Sequence, residues 1–392
     1  MNTAVIVDAV RTPGGKRGGK LANWHPADLA AISLKAIVER NNLDPVLIDD
    51  VILGCVNQVG EQAINVARSA VLAAGFPESV PATTIDRQCG SSQQALHFAA
   101  QGVMAGAYDI VIAGGVESMT RVPMGASTPE GLGAPFGPAV HARYADQGGR
   151  STMGGAAELI ADTWDLSRAE LDAFGARSQQ LARQATDEGR FKNEIVPVQV
   201  KDADGQLTDE WFSVDEGLRD GTTVESLSGL KTPFKENGKI TAGTSSQITD
   251  GSSAVLVMSE DKAKALGLTP RARFHSFALA GVDSVMMLTG PIPATRTVLE
   301  RGKLSIDEID RFEVNEAFAS IVLAWAKELG VDLDKVNVNG GAIALGHPVG
   351  SSGTRLMATL LNELERSGGR YGLQVMCEGG GLANATIIER LG

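Results

Sequence analysis

Apolar runs of strand length alternate with amphipathic stretches of helical length along most of the chain. Such alternation predicts layered α/β structure. The first part reads as strand 3–10, helix 26–40, strand 51–57, helix 64–74, strand 82–85, helix 91–105 and a continuous apolar strand 109–116. One further strand, 252–259, stands far away in sequence. The last third repeats the order, with strand 271–282, helix 292–299, strand 311–316, helix 317–329, strand 336–338, helix 351–364 and strands 372–377 and 386–388. Local matches keep the same order: Ile48-Asp49 answers Ile309-Asp310, Ser91-Ser92 answers Ser351-Ser352, and Gly114-Gly115 answers Gly379-Gly380. From Ile48 to Ser92 is 44 positions and from Ile309 to Ser352 is 43. Matches in the same order, the first two at nearly the same spacing, predict a duplication, with the two Ser-Ser helices starting near each other at a pseudo-two-fold axis. Residues 119–248 fall outside the repeat and hold Gly/Pro/Ser-rich stretches, helical segments 154–163 and 168–188, and short strands. The expected organisation is therefore one core half from 1–118 with 249–270, a second from 271–392, and an inserted domain, 119–248, that covers the site.

Composition narrows the function classes. A length of 392 residues allows two or three domains at ~150 residues each. The 46 glycines are clustered, which reads as tight loops and close backbone approaches. A formal net charge of −12 argues against a nucleic-acid binder with a broad basic surface, although an anionic small ligand needs only a local basic patch. No apolar run is long enough for a membrane span. No charged leader with an apolar run and a small-residue cleavage site is seen, so cytoplasm is the expected location. Three cysteines do not make a disulfide framework, and no Cys/His spacing suits zinc, so no metal is expected.

Two of those cysteines stand in glycine-rich frames. Cys89, in Asp86-Arg87-Gln88-Cys89-Gly90-Ser91-Ser92, immediately precedes a helical run. The free N–H groups and partial positive charge of a helix N-terminus favour a thiolate. Cys377 ends a strand before Gly379-Gly380-Gly381, whose N–H groups are free to face an oxyanion. His347 lies in Gly346-His347-Pro348-Val349-Gly350, a rigid turn from which it can take a thiol proton or donate to a developing oxyanion. Asn315, in Val314-Asn315-Glu316-Ala317-Phe318, offers an amide at a strand end to hold a water or a carbonyl oxygen. Cys55 lies in an apolar strand without such a frame and reads as packing, and His25, His97, His141 and His275 read as packing or surface residues. Cysteine with histidine alone also fits a cysteine protease; the second thiol, the duplication and the glycine frames do not.

These residues resemble the thiolase family over nearly the whole chain, through Cys89-Gly90-Ser91-Ser92, Asn315-Glu316-Ala317-Phe318, Asn339-Gly340-Gly341-Ala342-Ile343-Ala344-Leu345-Gly346-His347-Pro348 and Cys377 before its glycines. The resemblance implies a duplicated five-layered α/β/α/β/α core with an inserted loop domain. It implies Cys89 as the nucleophile that carries the acyl group, activated by His347, and Asn315 holding a water in a first oxyanion hole. It implies Cys377 as the group that moves a proton at the substrate C2 or the coenzyme A thiol, and the N–H groups of Cys89 and Gly379 as a second oxyanion hole. Coenzyme A is the implied co-substrate, without a tightly bound cofactor, and a homodimer or homotetramer the implied assembly. Arg219 and Ser226 look like the family's adenine and pantetheine loop, and Ser246 like its pantetheine turn. Met153, Phe234 and Met287 look like pocket walls.

Departures from the family pattern refine the expectation. Thr152-Met153 stands where biosynthetic acetoacetyl-CoA thiolases usually carry His-Met, which points to a degradative 3-oxoacyl-CoA thiolase. Asp86 replaces a frequent asparagine, and with Gln88 and Gln93-Gln94-Ala95 it resembles thiolases of actinobacterial steroid breakdown. Glu378 adds a charge beside Cys377 and raises its pKa if the carboxyl points inward. The alternatives are a biosynthetic acetyl-CoA acetyltransferase, a decarboxylating ketosynthase-type condensing enzyme, and a non-catalytic coenzyme A-binding scaffold.

Overall fold

A computed structural model describes residues 2–392. Its strands are β1 (Ala4–Arg11), β2 (Gly15–Lys16), β3 (Asp50–Gly54), β4 (Ala82–Ile85), β5 (Ile110–Ser118), β6 (Val198–Lys201), β7 (Leu207–Phe212), β8 (Thr249–Ser259), β9 (Ala272–Gly281), β10 (Arg311–Val314), β11 (Tyr371–Glu378) and β12 (Leu382–Arg390). The first half orders its strands β4-β3-β5-β8-β1, and the second orders them β10-β11-β12-β9. In both halves a parallel crossover stretch meets antiparallel strands in the same sequence, as the repeat predicts. The halves fuse edge to edge where Val5 and Ile6 of β1 pair with Arg273 and Ala272 of β9. β2 pairs with β8, and β6 and β7 form a separate hairpin.

Helices Ser91–Ala105 and Ser352–Ser367 lie between the two halves, packing Leu96, Ala99, Ala100, Met357, Leu360 and Leu361 among residues of both sheets. A helix with sheets on two sides must bury most of its circumference, hence the alanines and serines of these segments. The Ser-Ser starts meet: Thr354 N–H donates to Ser92 Oγ at 3.0 Å. Outer helices cover the other faces, Pro26–Arg40 and Val66–Ala73 on the first half and Pro291–Gly302 and Ala319–Leu329 on the second. The result is the layered α/β/α/β/α core.

Several predicted boundaries coincide with the observed ones because strong local signals set them. Pro26 stands in the first turn of its helix, with His25 accepting from Ala27 N–H, and Gly106 ends helix Ser91–Ala105 at φ +77°, the left-handed cap that glycine favours. The strand predicted at 336–338 does not form. Val336 makes one isolated bridge to Phe312, and Asn337 turns left-handed at φ +47°. Its amide takes both backbone groups of Val314, N–H into Oδ1 and Nδ2 onto the carbonyl, each at 2.8 Å. A side chain thus replaces the ladder, and the second half loses the counterpart of β4.

Candidate active site

The Cys89 turn begins where β4 ends. Asp86 Oδ1 accepts from Gln88 N–H at 2.6 Å and holds Gln88 at φ +48°, a conformation costly for a non-glycine residue and typical of functional turns. Gly90 N–H bonds to Arg87 O and Ser91 N–H to Gln88 O, and Asn384 Nδ2 donates to Gly90 O at 2.9 Å. Asp86 therefore does with a carboxylate what an asparagine oxygen would do there. Cys89 is buried. Burial pushes its thiol well above the usual range, Cys377 and Glu378 add to this, and the backbone N–H groups of Gly379 and Cys89 pull against it. The helix start does not outweigh desolvation, so the resting group is the thiol and not the thiolate expected from the turn alone.

His347 is set by the close crossing of its loop over β8. Gly346 has φ +89°, and a Cβ there would stand 2.2 Å from Thr249 Oγ1. His347 N–H donates to Gln247 O and Thr249 Oγ1, both at 3.1 Å. Ser352 Oγ donates to Pro348 O at 2.9 Å and lies 2.6 Å from His347 Nδ1. With its one proton committed, Ser352 must accept from Nδ1–H, which leaves the Nε2 lone pair facing the site. Burial, with Arg355 adding, lowers the imidazole pKa to about 3, so His347 rests neutral. We expect Ser352→Ala to lower kcat by about tenfold with little change in KM, since it frees the tautomer that a base must hold. Steady-state kinetics check this; an unchanged kcat would remove Ser352 from the assembly.

Asn315, just beyond β10, joins the two ends. Its Nδ2 lies 3.4 Å from His347 Nε2 and 3.9 Å from Cys377 Sγ. Its buried Oδ1 has no protein partner, the place for a bound water. Burial first, and Glu378 further, push the Cys377 thiol up to about 12, against the hydrogen bond from Asn315. Cys89, His347 and Gly379 line one cavity of about 370 Å³, with Met153, Phe318, Val349 and Ser246 among its walls. A thiol and a neutral base thus line one cavity, and through Asn315 the base adjoins a second thiol that lies outside the cavity's lining. That set can carry an acyl group covalently and move protons beside it.

Ser246 also lines a neighbouring groove of about 440 Å³, with Lys16, Arg17, Arg219 and Phe234. The edge of Phe234 meets Phe318 at 5.9 Å between centroids, so groove and cavity share a wall. An acidic protein thereby concentrates three cations in a groove that adjoins the Cys89 cavity at Ser246. Two expected residues lie elsewhere. Ser226 Oγ caps its own short helix with Thr223, and Met287 is 4% exposed in the second half's apolar core. Thr152 caps helix Met153–Thr163 by accepting from Gly155 N–H at 3.1 Å. Cys55 is buried beneath the His347 loop, and His97 bonds Thr386 in the core. Sequence reasoning missed Ser352, Thr249, Lys16 and Arg17. The last two were legible as a basic pair inside Gly14-Gly15-Lys16-Arg17-Gly18-Gly19; the first two are not, because their role depends on the fold.

Fold and site together suit an enzyme that transfers acyl groups. The thiolase N-terminal domain matches residues 4–261 and the thiolase C-terminal domain residues 268–390. The chain is 50% identical to the steroid 3-ketoacyl-CoA thiolase FadA6 of Mycobacterium tuberculosis, over 100% of this chain and 95% of that protein. It is 48% identical to a 3-ketoacyl-CoA thiolase of Serratia proteamaculans, over the full length of both. The crystal structure of the Bacillus anthracis acetyl-CoA acetyltransferase superposes with a TM-score of 0.90 at 40% identity, covering 100% of this chain and 99% of that one. The chain belongs to the thiolase family and is an acyltransferase. Among the described residues no helix is long and apolar enough to cross a membrane.

Proposed function

We propose that the chain is a degradative 3-oxoacyl-CoA thiolase, in which Cys89 carries the acyl group. Most support comes from one observation: the Asn315 amide stands within 3.4 Å of His347 Nε2 and 3.9 Å of Cys377 Sγ, beside the cavity that Cys89 lines. His347 takes the Cys89 proton as the thiolate attacks the C3 carbonyl. The C2–C3 bond breaks, and Cys377 gives its proton to C2 of the departing acetyl-CoA enolate. Coenzyme A then enters, Cys377 takes its thiol proton, and the new thiolate displaces the acyl group from Cys89, whose thiolate recovers the proton held by His347. Gly379 and Cys89 N–H groups face one oxyanion; His347 and a water on Asn315 face the other.

Coenzyme A is the co-substrate in this reading, with its anionic end toward Lys16, Arg17 and Arg219 and its pantetheine passing Ser246. Neither a metal nor a redox cofactor takes part. The open edge of β4 and the exposed apolar side chains Ile64 and Leu132 favour a homodimer or a homotetramer of dimers. An apolar cavity of ~370 Å³, walled by Met153, Phe318 and Val349, suits an acyl group larger than acetyl and favours fatty-acid or steroid degradation over acetoacetyl-CoA synthesis. Thiolysis of acetoacetyl, medium-chain and steroid-side-chain 3-oxoacyl-CoA esters tests this. The expected result is a preference in kcat/KM for the longer or ring-bearing esters of about tenfold or more. Activity confined to acetoacetyl-CoA would assign the biosynthetic reaction instead, and activity on malonyl thioesters the decarboxylating one.

A further inference from the structure

Glu378 ends β11 one residue beyond Cys377, so its side chain turns to the opposite face of the strand. That face carries Met376, which packs with Cys89, and Asn384, which pairs with Met376 across the ladder. Glu378 is 0% exposed, and neither carboxyl oxygen has a protein hydrogen-bond partner. It fills the space beneath the nucleophile's turn: a Cβ built on Gly90 would stand 1.9 Å from Glu378 Oε1 and 2.8 Å from Asn384 Nδ2. The residue after Cys89 is therefore glycine because a carboxyl group and an amide press against its Cα.

The titratable and charged groups around this carboxyl are few. Cys89 and Cys377 both feel its charge, Arg87 attracts it and Asp86 repels it. Arg87 makes no ion pair with it, and Arg87 Nε is itself buried without a partner. An unpaired carboxylate in such a place is costly, whereas the neutral acid is not. Burial pushes the group up to about 8, with Arg87 pulling back and Asp86 adding.

We propose that Glu378 is a positioning residue for the nucleophile: it is held as a neutral acid beneath Gly90 during turnover, and its ionisation disfavours the Cys89 thiolate and closes the alkaline side of the reaction. The proposal rests on Cys89 being the acyl carrier. A negative charge packed under the thiolate's own turn opposes it without touching the substrate, so the effect appears in the pH profile.

The experiment compares the full-length wild type with Glu378→Gln from about pH 6 to about pH 10, reading iodoacetamide labelling of Cys89 by peptide mass spectrometry and kcat/KM for thiolysis. In the wild type, the rise of log labelling rate with pH should break where the carboxyl ionises. In Glu378→Gln it should continue unbroken, and the ratio of alkaline to neutral kcat/KM should rise about tenfold, the effect of roughly one pKa unit on the thiol. Superimposable profiles overturn the proposal. So does an equal loss of turnover at every pH, which would make the ionised carboxylate a working base. If Glu378→Gln does not fold by circular dichroism, Glu378→Met carries the same readouts with an uncharged side chain like that of Met376. Failure of both to fold overturns the electrostatic role in favour of a purely structural one. Thiolysis that Cys89→Ala does not reduce overturns the assignment of Cys89 itself, and this proposal with it, a result distinct from unchanged Glu378→Gln profiles.

Discussion

Cys89→Ala should leave a folded protein whose turnover has fallen by about 10⁴-fold or more, the scale expected when the nucleophile of a covalent mechanism is deleted. The loss should be clean because nothing holding the turn passes through sulfur. Asp86 fixes Gln88, Asn384 holds Gly90 O, and Ser91 Oγ bonds to Gln88 O at 2.6 Å. A methyl group fits where the thiol was, so thermal unfolding should move by no more than about 1 kcal/mol. Without Cys89, the C3 carbonyl meets only the Cys377 thiol, held up near 12 by burial. Cys377 stands near Asn315, and in the proposed mechanism its task is the proton at C2. The matching gain-of-signal test is a 3-oxoacyl-CoA incubation without free coenzyme A: wild type should gain the mass of one acyl group on the Cys89 peptide, and Cys377→Ala should gain it slowly. Residual turnover in Cys89→Ala within about tenfold of wild type would sink the covalent mechanism.

What the sequence exposes about this site follows a physical division. Helix Ser91–Ala105 and strand β4 stand where the sequence places them, because glycines and apolar runs are local signals. The motif cysteines, the histidine and the asparagine were legible for the same reason. The missing strand at 336–338 was not, since Val336 and Val338 alternate correctly and only the three-dimensional capture of Val314 by Asn337 defeats them. Met287 shows the reverse ambiguity: an apolar side chain serves a pocket wall and a core equally well, and it lies in the core. The direction of Glu378 was available in principle. Two residues beyond Met376 on a strand, it must share that face, and a strand buried on both sides has no solvent to offer. The buried acids Glu117 and Glu316, the latter accepting from Ser178 Oγ, Asn337 Nδ2 and Ile343 N–H, leave no trace in composition or periodicity, because a buried carboxylate is recognisable only through its donors.

Glu117→Gln should be the most destabilising near-isosteric change in the vicinity of the site. Glu117 is fully buried at the end of β5. Its Oε2 accepts from Val56 N–H at 2.8 Å and Gly350 N–H at 3.0 Å; its Oε1 accepts from Asn57 N–H at 3.1 Å, Asn57 Nδ2 at 3.2 Å and Gln62 Nε2 at 2.9 Å. One carboxylate thus ties the chain after β3, the Gln62 turn and the loop that carries His347. Burial raises its pKa, and the bonds from Val56, Asn57 and Gln62 pull back. Glutamine has the right size but only one acceptor oxygen. Whichever way its amide turns, an NH₂ group must face two or three N–H donors that have lost their partner. At roughly 1–3 kcal/mol for each buried donor left unpaired, and about 3–5 kcal/mol for breaking a buried charged network, the expected loss is about 3–5 kcal/mol. It should appear as a lower urea midpoint at unchanged m. The catalytic consequence follows from Gly350, which packs against Cys55 and β3 with no room for a side chain. Loosening that contact lets His347 drift from Asn315, so kcat should fall more than KM rises, with addition of saturating coenzyme A recovering stability but not kcat. A midpoint within about 0.5 kcal/mol of wild type would mean that water already satisfies these donors and that the His347 loop is positioned by Thr249 and Ser352 alone.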